Sequence, residues 1–257
     1  MKSAFFSNNA KIGITLDFPR KESNCIDACN VSKFCYINHN IQDKINKAYK
    51  KKLKRNFRLS LSKRFIQKIS REVINQNWLR IRFLSNGDLI FQDFKKSTQQ
   101  LDNFIGVCKV CKNNKFWMVT RNSNALMYYF DYLGNSKPKN LNIMLSIDGK
   151  AQSKPLLSWC KSLKIQPCMI TDKRKESNCK ASMNHKSCIE NNCQDCIEYE
   201  ENIRLWFVHG SGNLQRWRNN KSWKIPTAKN KQAQNPTWII LRLNAHIAKR
   251  CMSGRED

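Results

Sequence analysis

Between Lys11 and Thr171 short β-branched or apolar runs alternate with longer stretches of helical period, and that alternation constrains the fold more than any other feature. Lys11–Phe18 (KIGITLDF), Leu79–Leu84 (LRIRFL), Lys115–Thr120 (KFWMVT), Leu141–Ile147 (LNIMLSI) and Ile165–Thr171 (IQPCMIT) read as strands, and Leu205–Val208 as a short further one. Between them Asp43–Asn75 carries apolar residues at helical spacing (Leu53, Phe57, Leu61, Phe65, Ile69, Val73) and reads as one or two amphipathic helices. Phe91–Cys108, Asn124–Tyr132 and Ser153–Ser162 read as further helices. Strands alternating with helices predict an α/β fold with a parallel sheet, either a partial (β/α) barrel or an open parallel, doubly wound sheet. A cysteine-rich C-terminal extension follows. The expected division is an α/β core over 1–172, a cysteine-rich metal-binding segment over 173–212 and a basic tail over 213–257.

Cys25, Cys29 and Cys35 form C-x3-C-x5-C directly after the first predicted strand. Three thiolates on one short loop can hold three irons of a [4Fe–4S] cluster and leave the fourth open to an exogenous ligand. Zinc is the alternative, with His39 as a fourth donor. Cys179, Cys188, Cys193 and Cys196 form C-x8-C-x4-C-x2-C, and the last step offers two sulfurs from one turn. Zinc, with His185 as a spare ligand, or a second cluster fits this group; three early cysteines and one late one could also share a single closed site. Separate thiols are the bland reading for either group. Cys108 and Cys111 form a further C-x2-C, read as a structural pair, and Cys160, Cys168 and Cys251 stand alone. The hexapeptide RKESNC occurs twice, at Arg20–Cys25 and Arg174–Cys179, in different cysteine contexts.

Twelve cysteines without a leader-like apolar stretch predict a reducing, cytoplasmic setting in which metal chemistry explains the thiols better than disulfides do. No run reaches the ~18 apolar residues of a membrane span, so no membrane partner is expected. The 47 basic against 19 acidic residues give a net charge of +28, a field that favours nucleic acid or another polyanion. Asp43–Asn75 is the most basic stretch, opposed only by Asp43 and Glu72, and the tail mixes Trp217, Trp223 and Trp238 with lysines and arginines. A merely soluble basic surface is the competing explanation. Asp148, Arg121 and His209 fall at predicted strand ends, where α/β proteins bind ligands, although a turn or structural role suits each as well. There is no P-loop and no G-x-S-x-G.

The triad after the first strand, with Phe34-Cys35-Tyr36 at its close, resembles the cluster loop of radical S-adenosylmethionine enzymes. Its last interval is longer than the C-x3-C-x2-C usual there. Gly87-Asp88, ending the second strand, resembles a reduced form of that superfamily's glycine-rich motif. The resemblance implies that this turn meets bound S-adenosylmethionine, and it implies an enzyme of unknown substrate. A second resemblance, over about residues 5–212, is to the phage "gene product 88" family. It rests on Cys35-Tyr36, on the turn holding Ser85, Gly87 and Asp88, and on Phe207-Val208-His209-Gly210 after the late cysteines. It implies the architecture and the cysteine groups rather than a reaction. The contrasting reading is a basic nucleic-acid-binding module in which zinc or a cluster is structural.

Overall fold

The computed structural model describes residues 3–9, 12–19, 22, 46–147, 154–171, 177–179, 193, 196–200 and 202–207. The chain divides into Met1–Lys221 and Ser222–Asp257, and the second unit lies outside the described residues. The described strands are β1 (Ser7–Asn9), β2 (Gly13–Leu16), β3 (Arg80–Phe83), β4 (Lys115–Thr120), β5 (Leu141–Ser146), β6 (Gln166–Thr171) and β7 (Arg204–Phe207). The described helices are α1 (Lys47–Ser60), α2 (Phe65–Asn75), α3 (Phe94–Val110), α4 (Ser123–Met127) and α5 (Lys154–Ser162), with a π-helical turn at Tyr128–Tyr132 continuing α4.

The strands lie side by side in chain order, β1 to β7. β1 pairs antiparallel with β2, and every later neighbour is parallel. A doubly wound sheet reverses its order at a switch point and carries helices on both faces. Here the order never reverses. Apolar residues of all five helices pack into one cluster with Leu16, Ile81, Phe83, Phe116, Ile143 and Leu145. The opposite face carries its own small cluster, Trp117, Met144 and Cys168, covered by Ile12, Val119, Cys196 and Ile197 and, among the described residues, by no helix residue. The fold is a mixed α/β sheet, mostly parallel, whose in-order strands match a partial (β/α) barrel or an open singly wound sheet rather than a doubly wound one.

Phe104 of α3 joins sheet and helices. It stacks on Phe83 at 4.6 Å and on Phe18 at 5.7 Å, and meets Phe65 edge-on at 5.6 Å. Asn46 caps α1 by accepting the Tyr49 N–H, and Asp93 caps α3 by accepting that of Lys96. The Asp43–Asn75 stretch, read as one or two helices, is two within its described part, and α3 takes up the carbonyls at the join. Asn103 donates to the Ser60 carbonyl at 2.7 Å and Gln99 to that of Leu61 at 2.8 Å. Lys47, Lys50, Lys51, Lys54, Arg55 and Arg58 line the exposed side of α1. Lys52 instead turns inward to donate to the Phe6 carbonyl at 2.8 Å, and burial lowers its pKa.

Pro167 sits inside β6, although proline lacks a ladder donor. The Cys168 carbonyl accepts from Ile147 of the β5 side at 2.8 Å, so by alternation the missing N–H of Pro167 faces β7. The β7 register begins only at Cys168–Arg204, and no ladder bond is lost. Among the described residues no helix is long and apolar enough to cross a membrane.

Candidate functional site

The exits of β2, β3 and β4 are stitched together by buried polar groups. Asp17, just beyond β2, accepts at Oδ1 from the Ser85 hydroxyl (2.7 Å) and the Asn86 N–H (2.9 Å), and at Oδ2 from the Thr15 hydroxyl (2.7 Å). The backbone pairing continues past the strands: Leu84 N–H donates to the Leu16 carbonyl at 2.9 Å, and Phe18 N–H to that of Asn86 at 3.0 Å. The chain therefore leaves β2 fastened to the 84–87 turn before it enters the segment that holds Cys25, Cys29 and Cys35.

Two left-handed residues shape that turn. Leu84, buried, has φ of 61°, unusual for a bulky side chain, and Gly87 has φ of 80°. The bare Cα of Gly87 faces the Phe18 carbonyl: a Cβ there would lie 2.6 Å from that oxygen. The space is filled by the chain leaving β2.

Asp88 is buried and faces β4. Its Oδ1 accepts from its neighbour Leu89 N–H at 2.7 Å and from the Thr120 hydroxyl, and its Oδ2 accepts from Arg121 N–H at 2.9 Å. Burial raises its pKa, with those three bonds acting in the other direction. Asn122 continues the stitching by donating to the Ile90 carbonyl at 2.7 Å, and Gln100 of α3 accepts the Ile90 N–H at 3.1 Å. Gly87 and Asp88, read from the sequence as cofactor-contacting, are thus adjacent at a strand exit and joined to the β2 and β4 exits. Arg121 enters through its backbone N–H, which serves Asp88.

The late cysteine group is described in part. Cys179 is buried, and its N–H donates to the Ser177 hydroxyl at 3.3 Å. Arg204 of β7, 2% exposed, donates to the Asn178 carbonyl at 2.9 Å and pairs with Glu200 at 2.5 Å, which holds both flanks of the group to one strand. Cys196 lies on the helix-free face, where Asn142 of β5 donates to the carbonyls of Cys196 and Glu198 at 3.1 Å each. Cys193 and Cys196 are both half-buried. Two such thiols in C-x2-C suit zinc and an iron–sulfur cluster equally. Among the described residues no three of His, Cys, Asp and Glu come together as a metal site. Cys25, Cys29, Cys35, Cys188, His39, His185, Asp148 and His209 lie outside the described residues.

Cys108 and Cys111 are buried at the end of α3, and burial raises both thiol pKa values, which suits packing rather than nucleophilic chemistry. Sequence reasoning missed Asp17, which fastens the exit of β2. The available signal was a carboxylate at the C-terminal end of a strand. It also missed Arg204, whose ion pair with Glu200 shows only once β7 is in place.

No curated protein and no solved structure matches the chain. A family model described as Gene product 88 matches residues 6–198. That span covers β1 through β6, the early cysteine triad, the Ser85–Asp88 turn and all four late cysteines. The chain belongs to the Gene product 88 family.

Proposed function

We propose that this protein carries an iron–sulfur cluster and is of the radical S-adenosylmethionine type, with Cys25, Cys29 and Cys35 as the cluster ligands. The observation that supports this reading is the fastening of the β2 exit to the Ser85–Asp88 turn through Asp17, Phe18 and Gly87. It ties the chain entering the triad to the turn at the end of the next parallel strand, the side on which barrel proteins carry their chemistry. A [4Fe–4S] cluster with S-adenosylmethionine, when bound, supplies one-electron reductive chemistry. The residues' part is to hold Asp17 and Phe18, where the chain leaves β2 toward the triad, against the 84–88 turn.

The test is anaerobic purification with iron, sulfide and zinc measured per chain, and electron paramagnetic resonance of the reduced protein before and after adding S-adenosylmethionine. About four irons or more and a spectrum that shifts on addition are expected. Replacing Cys25, Cys29 and Cys35 together with alanine is expected to remove that iron. Replacing Cys193 and Cys196 leaves the iron unchanged if the late group is a separate zinc site, and lowers it if that group holds a second cluster or shares the triad's. Stoichiometric zinc without iron would overturn the reading.

A second reading is favoured by the exposed side of α1, where Lys47, Lys50, Lys51, Lys54, Arg55 and Arg58 form a basic ridge. Such a ridge suits a nucleic-acid backbone, with any metal purely structural. Binding to single- or double-stranded nucleic acid that weakens steeply with salt would support it, and no binding at low salt would end it.

A further inference from the structure

The face of the sheet opposite the described helices holds polar groups left unanswered among the described residues. Parallel register aligns Thr15, Arg82, Trp117 and Asn142 across β2 to β5 in one row. Gln166 of β6 pairs with Met144, the residue two beyond Asn142 on the same side of β5. The Arg82 guanidinium lies over the Trp117 ring, 4.5 Å from its centre. Its Nε is buried without a hydrogen-bond partner, and among the described residues Arg82 has no ion pair. The carboxylate on that face of β2, Asp17, is engaged by Ser85, Asn86 and Thr15.

The amides further along repeat the deficit. Asn142, 2% exposed, donates to Gln166 Oε1 at 3.2 Å and to the Cys196 and Glu198 carbonyls, yet its Oδ1 accepts nothing. Gln166, fully buried, has an Nε2 that donates to nothing. A buried polar atom without a partner costs about 1–3 kcal/mol. Asn56 Oδ1, Ser70 Oγ and Asn86 Oδ1 are also buried without a partner, but Arg82 Nε, Asn142 Oδ1 and Gln166 Nε2 gather on one face of the sheet, which points to a partner there.

We propose that this face binds a small carboxylate ligand, with Arg82 held flat on Trp117 taking the carboxylate and Asn142 with Gln166 taking an adjoining amide-like group. Arg82 is only half-buried, so part of its side chain meets solvent while Nε stays inside. A guanidinium stacked on an indole presents its donors edge-on, the geometry a carboxylate takes with two parallel bonds. A single cation flanked by neutral amides balances one negative charge, which favours a carboxylate over a doubly charged phosphate. Asn142 Oδ1 calls for a donor and Gln166 Nε2 for an acceptor, and a peptide-type amide offers both. This inference stands on the hydrogen-bond deficit and does not depend on which metal the cysteines hold.

The experiment is a titration of the full, ¹⁵N-labelled chain with N-acetylglycine, its methyl ester and inorganic phosphate, following the Trp117 indole and Arg82 Nε resonances. Saturable shifts of both signals are expected with the acid, with a dissociation constant on the order of 1 mM, reasonable for so small a molecule. The ester is expected to bind at least ~10-fold more weakly, as is the acid to Arg82→Lys, which keeps the charge and loses the planar fork. Arg82→Met, which keeps apolar packing on Trp117, is expected to melt within a few degrees of the parent, because it loses the cation–π contact but also removes a buried Nε that has no hydrogen-bond partner. A repeat with S-adenosylmethionine present assigns the carboxylate: displacement means the cofactor supplies it, and no displacement means a separate substrate does. Equal binding of acid and ester, phosphate binding as tightly as the acid, or no saturable shift would each overturn the proposal.

Discussion

Replacing Gly87 with alanine is expected to destabilise the protein by about 3–5 kcal/mol. Two causes add. The residue has φ of 80°, where a side chain is strained, and the new Cβ would sit 2.6 Å from the Phe18 carbonyl oxygen and 3.0 Å from its carbon. Those are backbone atoms, fixed by the Phe18–Asn86 bond, so no side chain can rotate away. Gly134 is the internal control: its φ is 63° but nothing lies within 4 Å of its would-be Cβ. Gly134→Ala should therefore cost only about 1 kcal/mol, the backbone part alone. Urea unfolding of the two variants separates strain from collision. Equal losses would mean that the β2 exit yields easily and that the turn is not gripped as described. If the metal reading holds, Gly87→Ala should also lower iron per chain, because Phe18 leads into the triad.

Asp88→Asn is expected to cost about 2–3 kcal/mol at neutral pH. Both carboxylate oxygens accept: Oδ1 from Leu89 and Thr120, Oδ2 from Arg121. An amide turned either way points its NH₂ at an N–H donor. The loss of a buried charge offsets part of this, since burial raises the Asp88 pKa. The same shift fixes the pH dependence. The folded carboxyl takes up its proton at higher pH than the unfolded one, whose value is near 3.8. Stability from this group is therefore fully present below 3.8 and is lost as pH rises through the folded value. Asparagine does not titrate, so the gap between parent and variant should widen as pH falls through the folded value. A gap that narrows toward acid would show that the three hydrogen bonds outweigh burial.

The strand–helix alternation from Leu79 to Thr171 was legible because each strand there carries apolar residues on a period that local chemistry sets. What escaped is set by distant partners. β1 is Ser-Asn-Asn, polar and three residues long, and is a strand only because β2 offers it a ladder. The sequence allowed one or two helices over Asp43–Asn75 but not the place of the join, where the partners are Gln99 and Asn103, about forty residues on. At the strand ends Gly87 and Asp88 were legible as a turn, but not the grip of Phe18 on one and of β4 on the other. Arg82, Asn142 and Gln166 read as ordinary strand positions. Their unanswered atoms emerge only when β3, β5 and β6 stand in one sheet with the described helices on the far side.

The in-order sheet also sets a schedule for the growing chain. From β3 onward each strand pairs with the one before it in the chain, so β3 to β7 can extend one step at a time across connections shorter than the one from β2 to β3. The longest closure is the first in sequence: Ile14 of β2 must find Ile81 of β3 across the cysteine triad, α1 and α2. That loop carries the largest entropic penalty, so β2 is expected to be the last parallel strand seated, after its template exists. A metal captured by the triad would then meet a nearly finished scaffold, and its insertion would lock the slowest step of assembly rather than start it.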